Sequence, residues 1–155
     1  MIEIQNIERT TIDGIINLLL DEKKQPFDIY IPKSTLLYHS TSEDIANDYA
    51  TLAYIGQKLS EVSESFSYDY VSPHVHESVL FQVETTNFVG LAEVILELSY
   101  EYNNESEDTE ESYFLDDVYQ FIDDVENNKI TPACQDFLDT YYEFKKEIEE
   151  EENSD

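Results

Sequence analysis

Apolar residues recur at helical spacing in two stretches in the first half of the chain. The first stretch follows Thr10 or Thr11, whose hydroxyl can cap a helix. Its apolar face consists of Ile12, Ile15, Ile16, Leu19 and Leu20. Pro26 ends this unit. The second stretch begins after Thr41 or Ser42, and its apolar positions are Ile45, Tyr49, Leu52, Ile55 and Leu59. We expect the second helix to form one side of the core.

Alternation of apolar and polar residues predicts strands around these helices. Residues 27–31 and 78–85 alternate clearly, and residues 1–5 and 36–39 are candidates for shorter strands. Together these segments predict a small antiparallel sheet.

Three further segments are less regular. Residues 60–73 are rich in Ser and Tyr and lack a helical period, so we predict a loop. Residues 88–102 fit either a helix or a strand, and the helical spacing of Val94, Ile95 and Leu98 favours a helix. Residues 103–111 contain no strongly apolar side chain and predict a flexible loop.

Two amphipathic helices are predicted after this loop. The apolar stripe of the first consists of Phe114, Val118, Phe121 and Val125, and its outer acids are Asp116, Asp117, Asp123 and Asp124. In the second, Thr131 is the expected cap and Pro132 the expected first helical residue. Its apolar stripe consists of Phe137, Tyr141, Phe144 and Ile148, and its acidic stripe of Asp136, Asp139, Glu143, Glu147 and Glu150.

These elements predict a single α+β domain over residues 1–148. A small antiparallel sheet is packed with helices, and two acidic amphipathic helices close the chain. Residues 149–155 form a low-complexity acidic segment, and we predict that this end of the helix frays.

The charge of the chain is extreme and uneven. The formal net charge is -28, from 36 Asp and Glu against 8 Lys and Arg. Residues 97–155 hold 21 of the acids and only three lysines, Lys129, Lys145 and Lys146. Because phosphate binding needs Lys and Arg to displace counterions, we expect no direct contact with nucleic acid. Anionic membranes are repelled for the same reason, so the expected partner is a basic, nucleic-acid-binding protein.

The N-terminal residues lack the basic and apolar regions of a signal peptide, and no run approaches a membrane span. We therefore expect a cytoplasmic protein. The single cysteine, Cys134, cannot form an internal disulfide and suits a buried position on the apolar side of a helix.

The acidic stripes have the spacing of a charged array. Carboxylates three or four positions apart on a helix lie about 5 Å apart along its axis, an interval comparable with that of phosphates along a strand. In size, acidity, aromatic content and scarcity of cysteine the chain resembles the DNA-mimic proteins with which bacteriophages and mobile elements block restriction and other defence systems. The resemblance implies an inhibitor that occupies the basic surface of such a factor, in the cytoplasm of a host bacterium if the chain is phage-encoded. Solubility or halophilic adaptation is the alternative explanation of the acidity, and an acidic antitoxin or immunity protein is an alternative function.

A second resemblance covers residues 31–50. The run Leu37-Tyr38-His39-Ser40-Thr41 is similar to the first nucleotide-binding strand of ADP-ribosyltransferase-like proteins, in which a His-Gly-Thr type motif follows Leu-Tyr. The resemblance implies NAD as cofactor, with His39 and Thr41 at the nicotinamide ribose and Glu93 or Glu97 as the catalytic acid. Ser40 stands where that motif has glycine, so the implied protein is an active transferase or a degenerate relative.

Two histidines are the remaining candidates for chemistry. If residues 74–76 are extended, His74 and His76 face one side and could ligate one metal ion. Two loop histidines are the alternative, because no further ligand stands at a recognised spacing. We therefore predict neither a metal nor a cofactor outside the transferase alternative.

Overall fold

The computed structural model describes residues 2–3, 11–22, 25–31, 42–72, 75–104 and 113–153 of the chain. The elements follow in the order β1 (Ile2–Glu3), α1 (Ile12–Glu22), β2 (Phe27–Ile31), α2 (Ser42–Glu61), β3 (Ser65–Ser72), β4 (Val75–Glu84), α3 (Phe88–Asn104), α4 (Tyr113–Glu126) and α5 (Gln135–Asn153). The α+β class predicted from the sequence is confirmed.

The strands form one sheet in the order β1-β2-β4-β3. Strands β2, β4 and β3 are antiparallel, as expected, while β1 adds to β2 in parallel. Ile29, Phe81 and Tyr68 lie side by side on the three antiparallel strands and belong to the apolar face. The sheet therefore presents one face to the core.

A row of polar side chains crosses the opposite face of the sheet. Asp28, Gln82 and Ser67 occupy adjacent positions on the three antiparallel strands. Gln82 Nε2 donates to Asp28 Oδ1 at 3.2 Å, and Ser67 Oγ donates to Gln82 Oε1 at 3.4 Å. Alternation between these two faces is what allows short strands to pack on one side only.

Helix α2 lies at the centre of the fold, because it contacts β3, β4 and the helices α3, α4 and α5. Its largest fully buried side chains are those of Leu52, Ile55 and Leu59. Tyr49 stacks on Phe144 of α5 with ring centroids 6.1 Å apart, and Tyr54 meets the ring edge of Phe121 in α4 at 5.9 Å. Both acidic helices are therefore held against the core through α2.

Gly56 allows the chain before α5 to approach α2 closely. A Cβ atom at this position would overlap Cys134 Sγ and would lie 3.1 Å from Cε1 of Phe81. Cys134 is buried, as predicted, but it precedes α5 by one residue. Burial raises the pKa of its thiol to about 12, and the charge of Asp136 adds to the effect.

Side-chain caps fix the beginnings of two helices. Thr11 Oγ1 accepts a hydrogen bond from Gly14 N at 3.0 Å, which confirms the predicted cap of α1. Asn87 Oδ1 accepts one from Gly90 N at 3.0 Å and caps α3. Residues 88–102 are thus helical, which is the alternative that the spacing of their apolar residues favoured.

Two predictions in the first part of the chain are wrong. The segment predicted as a loop, residues 60–73, contains strand β3. Its Ser-Phe-Ser-Tyr-Asp alternation turns Phe66 and Tyr68 inward, and pairing with β4 supplies the partner that the sequence does not reveal. Leu20, expected on the apolar face of α1, is 52% exposed, because it lies about 100° round the helix from the buried Leu19.

The predicted start of the last helix is also wrong. Helix α5 begins at Gln135, three residues after Pro132. Ala133 N donates to Gln57 Oε1 of α2 at 2.8 Å, so a distant side chain takes the amide that a Thr131 cap would have satisfied. At its other end α5 continues to Asn153, through the segment predicted to fray from Glu149.

Other predictions fall outside the described ranges. The strand expected at residues 36–39 does so entirely, and the loop expected at residues 103–111 does so from residue 105 onward. Among the helices within those ranges, none combines the length and apolarity that a bilayer crossing requires.

Candidate functional site

The acids of α4 point in different directions. Its buried side is formed by Val118, Phe121 and Ile122. At about 100° per residue, Asp116 and Asp123 lie opposite this side and are exposed. Asp117 and Asp124 lie on one flank, where both line a cleft beside α2 and α3. The four aspartates predicted as one partner-binding set therefore form two pairs.

The C-terminal end of α4 is fixed by a Schellman motif. Asn128 has a φ of 59°, the left-handed conformation that ends many helices. Lys129 N donates to Asp124 O at 2.8 Å and Asn128 N donates to Val125 O at 3.1 Å. These bonds turn the chain sharply toward α5.

Helix α5 carries a straight acidic stripe. Its members are Asp136, Asp139, Glu143, Glu147 and Glu150, and all five are exposed. Behind the stripe, Phe137, Leu138 and Tyr141 are buried, and the ring of Phe137 lies 5.0 Å from that of Tyr68 in β3. The predicted amphipathic pattern is confirmed, and the carboxylates are supported by a packed apolar face.

Tyrosines lie between the acids of α4 and the stripe of α5. Tyr119 and Tyr142 are 43% and 38% exposed. Tyr142 Oη donates to Glu126 Oε1 at 2.9 Å and joins the two helices, while Tyr119 Oη donates to Asn47 Oδ1 of α2 at 2.8 Å. Burial raises the pKa of Tyr142 to about 12, and the bond to Glu126 adds to this. The acidic surface is therefore divided by a neutral aromatic seam.

A cleft of about 290 Å³ lies among α2, α3 and α4. Its charged lining consists of Lys58 and Glu61 from α2, Glu97 from α3, and Asp117 and Asp124 from α4. Lys58 is the single Lys or Arg between Lys33 and Lys129 in the sequence. Its ammonium group lies 5.8 Å from the ring centroid of Tyr54, a cation–π geometry.

Gln57 lies in the wall of this cleft and is only 8% exposed. Its Oε1 atom accepts from Ala133 N, which fixes the orientation of the side-chain amide and makes Nε2 the donor. Within the described part of the chain, Nε2 donates to no acceptor. The cleft therefore contains a buried donor beside a largely uncompensated acidic wall.

The residues implied by the transferase resemblance are only partly described. His39 and Thr41 lie outside the described residues, and Glu93 is exposed on α3. Glu97, the other implied acid, lines the cleft. His74 and the side chain of His76 also lie outside the described residues. Among the residues that are described, no group of three or more His, Cys, Asp or Glu side chains could hold a metal ion.

No family model, curated protein or solved structure matches the chain. The sequence pointed to Glu97, Asp117 and Asp124 in other roles. It did not predict the cleft that they form with Gln57 and Lys58, because the lining residues come mainly from three helices and are spread over positions 54–130. The isolation of Lys58 within an acidic sequence was the signal that could have directed attention to α2.

Proposed function

We propose that this protein is an acidic binding protein that occupies the basic nucleic-acid-binding surface of a partner. The observation that carries the proposal is the stripe of five exposed carboxylates on α5, backed by a buried apolar face. An ordinary solvated helix face mixes both signs of charge, whereas α5 has only Lys145 and Lys146 as cations.

The spacing of the stripe suits a surface that binds a nucleic-acid backbone. Steps of three or four residues place neighbouring carboxylates about 5 Å apart along the helix axis. A groove that binds phosphates presents Lys and Arg side chains to regularly repeated negative charges. Because α5 is packed on α2 and β3, its carboxylates need little ordering when they meet such a groove.

The acids and the tyrosine seam have different roles in this proposal. Exposed carboxylates attract a basic partner over long range and mainly raise the association rate. Tyr119 and Tyr142 offer large, partly apolar contact surfaces between the two acidic regions, and tyrosine is frequent among the residues that dominate binding energy. Binding would then exclude DNA from the partner by direct competition.

The class of partner follows from the compositional resemblance to DNA-mimic proteins. Anti-restriction and other anti-defence inhibitors of bacteriophages and mobile elements share this chain's size and extreme acidity. We propose the same role here, in the cytoplasm of a host bacterium, with a basic DNA-processing or defence protein as the target.

The test is competition with DNA. Bacterial DNA-binding proteins are loaded on immobilised duplex DNA and challenged with this protein at fixed ionic strength. We expect specific release of a bound protein, and we expect Glu143→Lys/Glu147→Lys to weaken the release by about tenfold through lost attraction. Asp13→Lys/Glu84→Lys is the control, because it makes the same change in net charge on exposed positions elsewhere.

Two results would overturn the proposal. The first is no release by the wild-type protein. The second is equal weakening by the two variants, which would show that net charge acts without any specific surface.

A further inference from the structure

We propose that the cleft among α2, α3 and α4 binds one cationic amino-acid residue, an arginine or a lysine, together with its own carbonyl oxygen. This inference rests on the proposed function, because it assigns the cleft to a residue of the basic partner. The ligand chemistry is a guanidinium or ammonium group joined to a hydrogen-bond acceptor.

The acidic wall supplies the cation-binding half of the site. Four carboxylates line the cleft, from Glu61, Glu97, Asp117 and Asp124. Lys58 lies among them, but no ion pair joins it to a carboxylate within the described ranges, and its ammonium group faces the Tyr54 ring. Asp124 already accepts a hydrogen bond from Gln120 Nε2 at 3.0 Å, whereas no ion pair holds Glu61, Glu97 or Asp117 within those ranges. A cation that enters from solvent therefore finds carboxylates on three helices.

Gln57 supplies the second half of the site, a hydrogen-bond donor that does not depend on the carboxylates. Its buried Nε2 donor needs an acceptor, because an unsatisfied buried amide costs free energy. A cation alone has no acceptor and cannot satisfy it. A residue that carries both a cationic side chain and a carbonyl oxygen satisfies the acids and Gln57 together.

The size of the cleft agrees with one residue. A volume of about 290 Å³ is at the lower limit of small-molecule sites, which extend from about 300 to 1,000 Å³. Arginine suits the acidic wall best, because its planar guanidinium group can bind two carboxylate oxygens at once.

The experiment is an NMR titration of the full-length, 15N-labelled protein with N-acetyl-arginine amide at low ionic strength. We expect saturable, weak binding with a Kd of about 1 mM, in which the side-chain NH2 signals of Gln57 shift. N-acetyl-citrulline amide, which is neutral and similar in shape, should not bind. n-Propylguanidine, which carries the same single guanidinium charge without a carbonyl, should bind more weakly and leave the Gln57 signals in place.

Two variants locate the site. Glu97→Gln/Asp117→Asn removes charge from two walls of the cleft and should weaken binding of N-acetyl-arginine amide by about tenfold. Asp13→Asn/Glu84→Gln makes the same change in net charge on exposed positions outside the cleft and should leave the Kd within about twofold. Circular dichroism confirms that both variants fold.

Several outcomes overturn the inference. They are equal weakening by the two variants, binding of the citrulline compound, or equal binding of n-propylguanidine without movement of the Gln57 signals. Tighter binding of free arginine than of the amide would assign the site to a free amino acid and overturn the partner assignment.

The two proposals fail in distinguishable ways. If wild-type protein displaces no protein from DNA while the titration succeeds, the proposed function fails and the cleft remains a site. If Glu97→Gln/Asp117→Asn displaces the same protein as well as wild type does, the cleft is not part of the interface.

Discussion

The close approach of Cys134 to Gly56 predicts a strong coupling between these two positions. In Gly56→Ala the new methyl group would overlap Cys134 Sγ, and Phe81 Cε1 would lie 3.1 Å away. Overpacking of a core costs about 1–3 kcal/mol, and an overlap with both a sulfur atom and a ring belongs to the upper part of this range, about 2–3 kcal/mol. Alanine in place of a helical glycine returns about 1 kcal/mol. We expect a net loss of about 1–2 kcal/mol in the free energy of unfolding.

Removal of the sulfur atom should relieve the overlap. In Gly56→Ala/Cys134→Ala the nearest remaining atoms are Phe81 Cε1 and the Cβ of residue 134, at 3.1 and 3.6 Å. Cys134→Ala alone should cost about 1 kcal/mol, because it leaves a small cavity. We therefore expect the double variant to be more stable than the sum of the two single losses predicts, by about 1–3 kcal/mol.

The assay is urea unfolding followed by circular dichroism, since the chain has no tryptophan for fluorescence. The free energies of unfolding of the wild type, the two single variants and the double variant are compared, provided that their m-values agree. If Gly56→Ala is as stable as the wild type, or if the two losses add to within about 0.5 kcal/mol, the proposed contact between α2 and the start of α5 is wrong.

Three further predictions concern helix ends and the buried thiol. Asn128→Gly should stabilise the protein by about 0.5–1 kcal/mol in urea unfolding, because glycine adopts the left-handed conformation without strain, and an unchanged or lower midpoint would contradict the Schellman assignment. Asn87→Ala should cost about 1 kcal/mol through loss of the α3 cap, whereas Asn87→Asp, which keeps an acceptor oxygen, should cost less. Cys134 should resist alkylation in the folded protein at pH 8 and react once urea unfolds it. Burial raises the pKa of Cys134 from 9.0 to about 12, so the stability that the neutral thiol contributes is complete below pH 9 and is lost as the pH rises toward 12. Rapid alkylation of the folded protein at pH 8 would refute the burial of this thiol.

The helices were predictable because each packs one apolar stripe on the core. Val118 and Phe121 in α4, and Phe137 and Tyr141 in α5, lie at helical spacing and are buried. Such periodicity is a local property of the sequence, and it fixes which carboxylates must point outward. The exposed stripe of α5 could therefore be predicted in full.

The remaining features depend on contacts between distant residues. Strand β3 contains few strongly apolar residues and becomes a strand through pairing with β4. The start of α5 is determined by Gln57 of α2, far away in the sequence. The cleft joins Lys58, Glu97 and Asp117 from three helices, and no local pattern places these residues together. Sequence periodicity thus predicts surfaces that belong to one helix but not sites formed between helices.

Strand β3 lies at an edge of the sheet, and the acidity of the chain affects whether two copies can pair there. In the part of the chain that the structure describes, β3 pairs with β4 alone, so one row of its backbone N–H and C=O groups has no strand partner. An open edge can pair with the same edge of a second copy. At neutral pH a charge of -28 keeps copies apart, and this repulsion disappears near the isoelectric point of about 4.1. Self-association should therefore increase as the pH falls toward about 4.1.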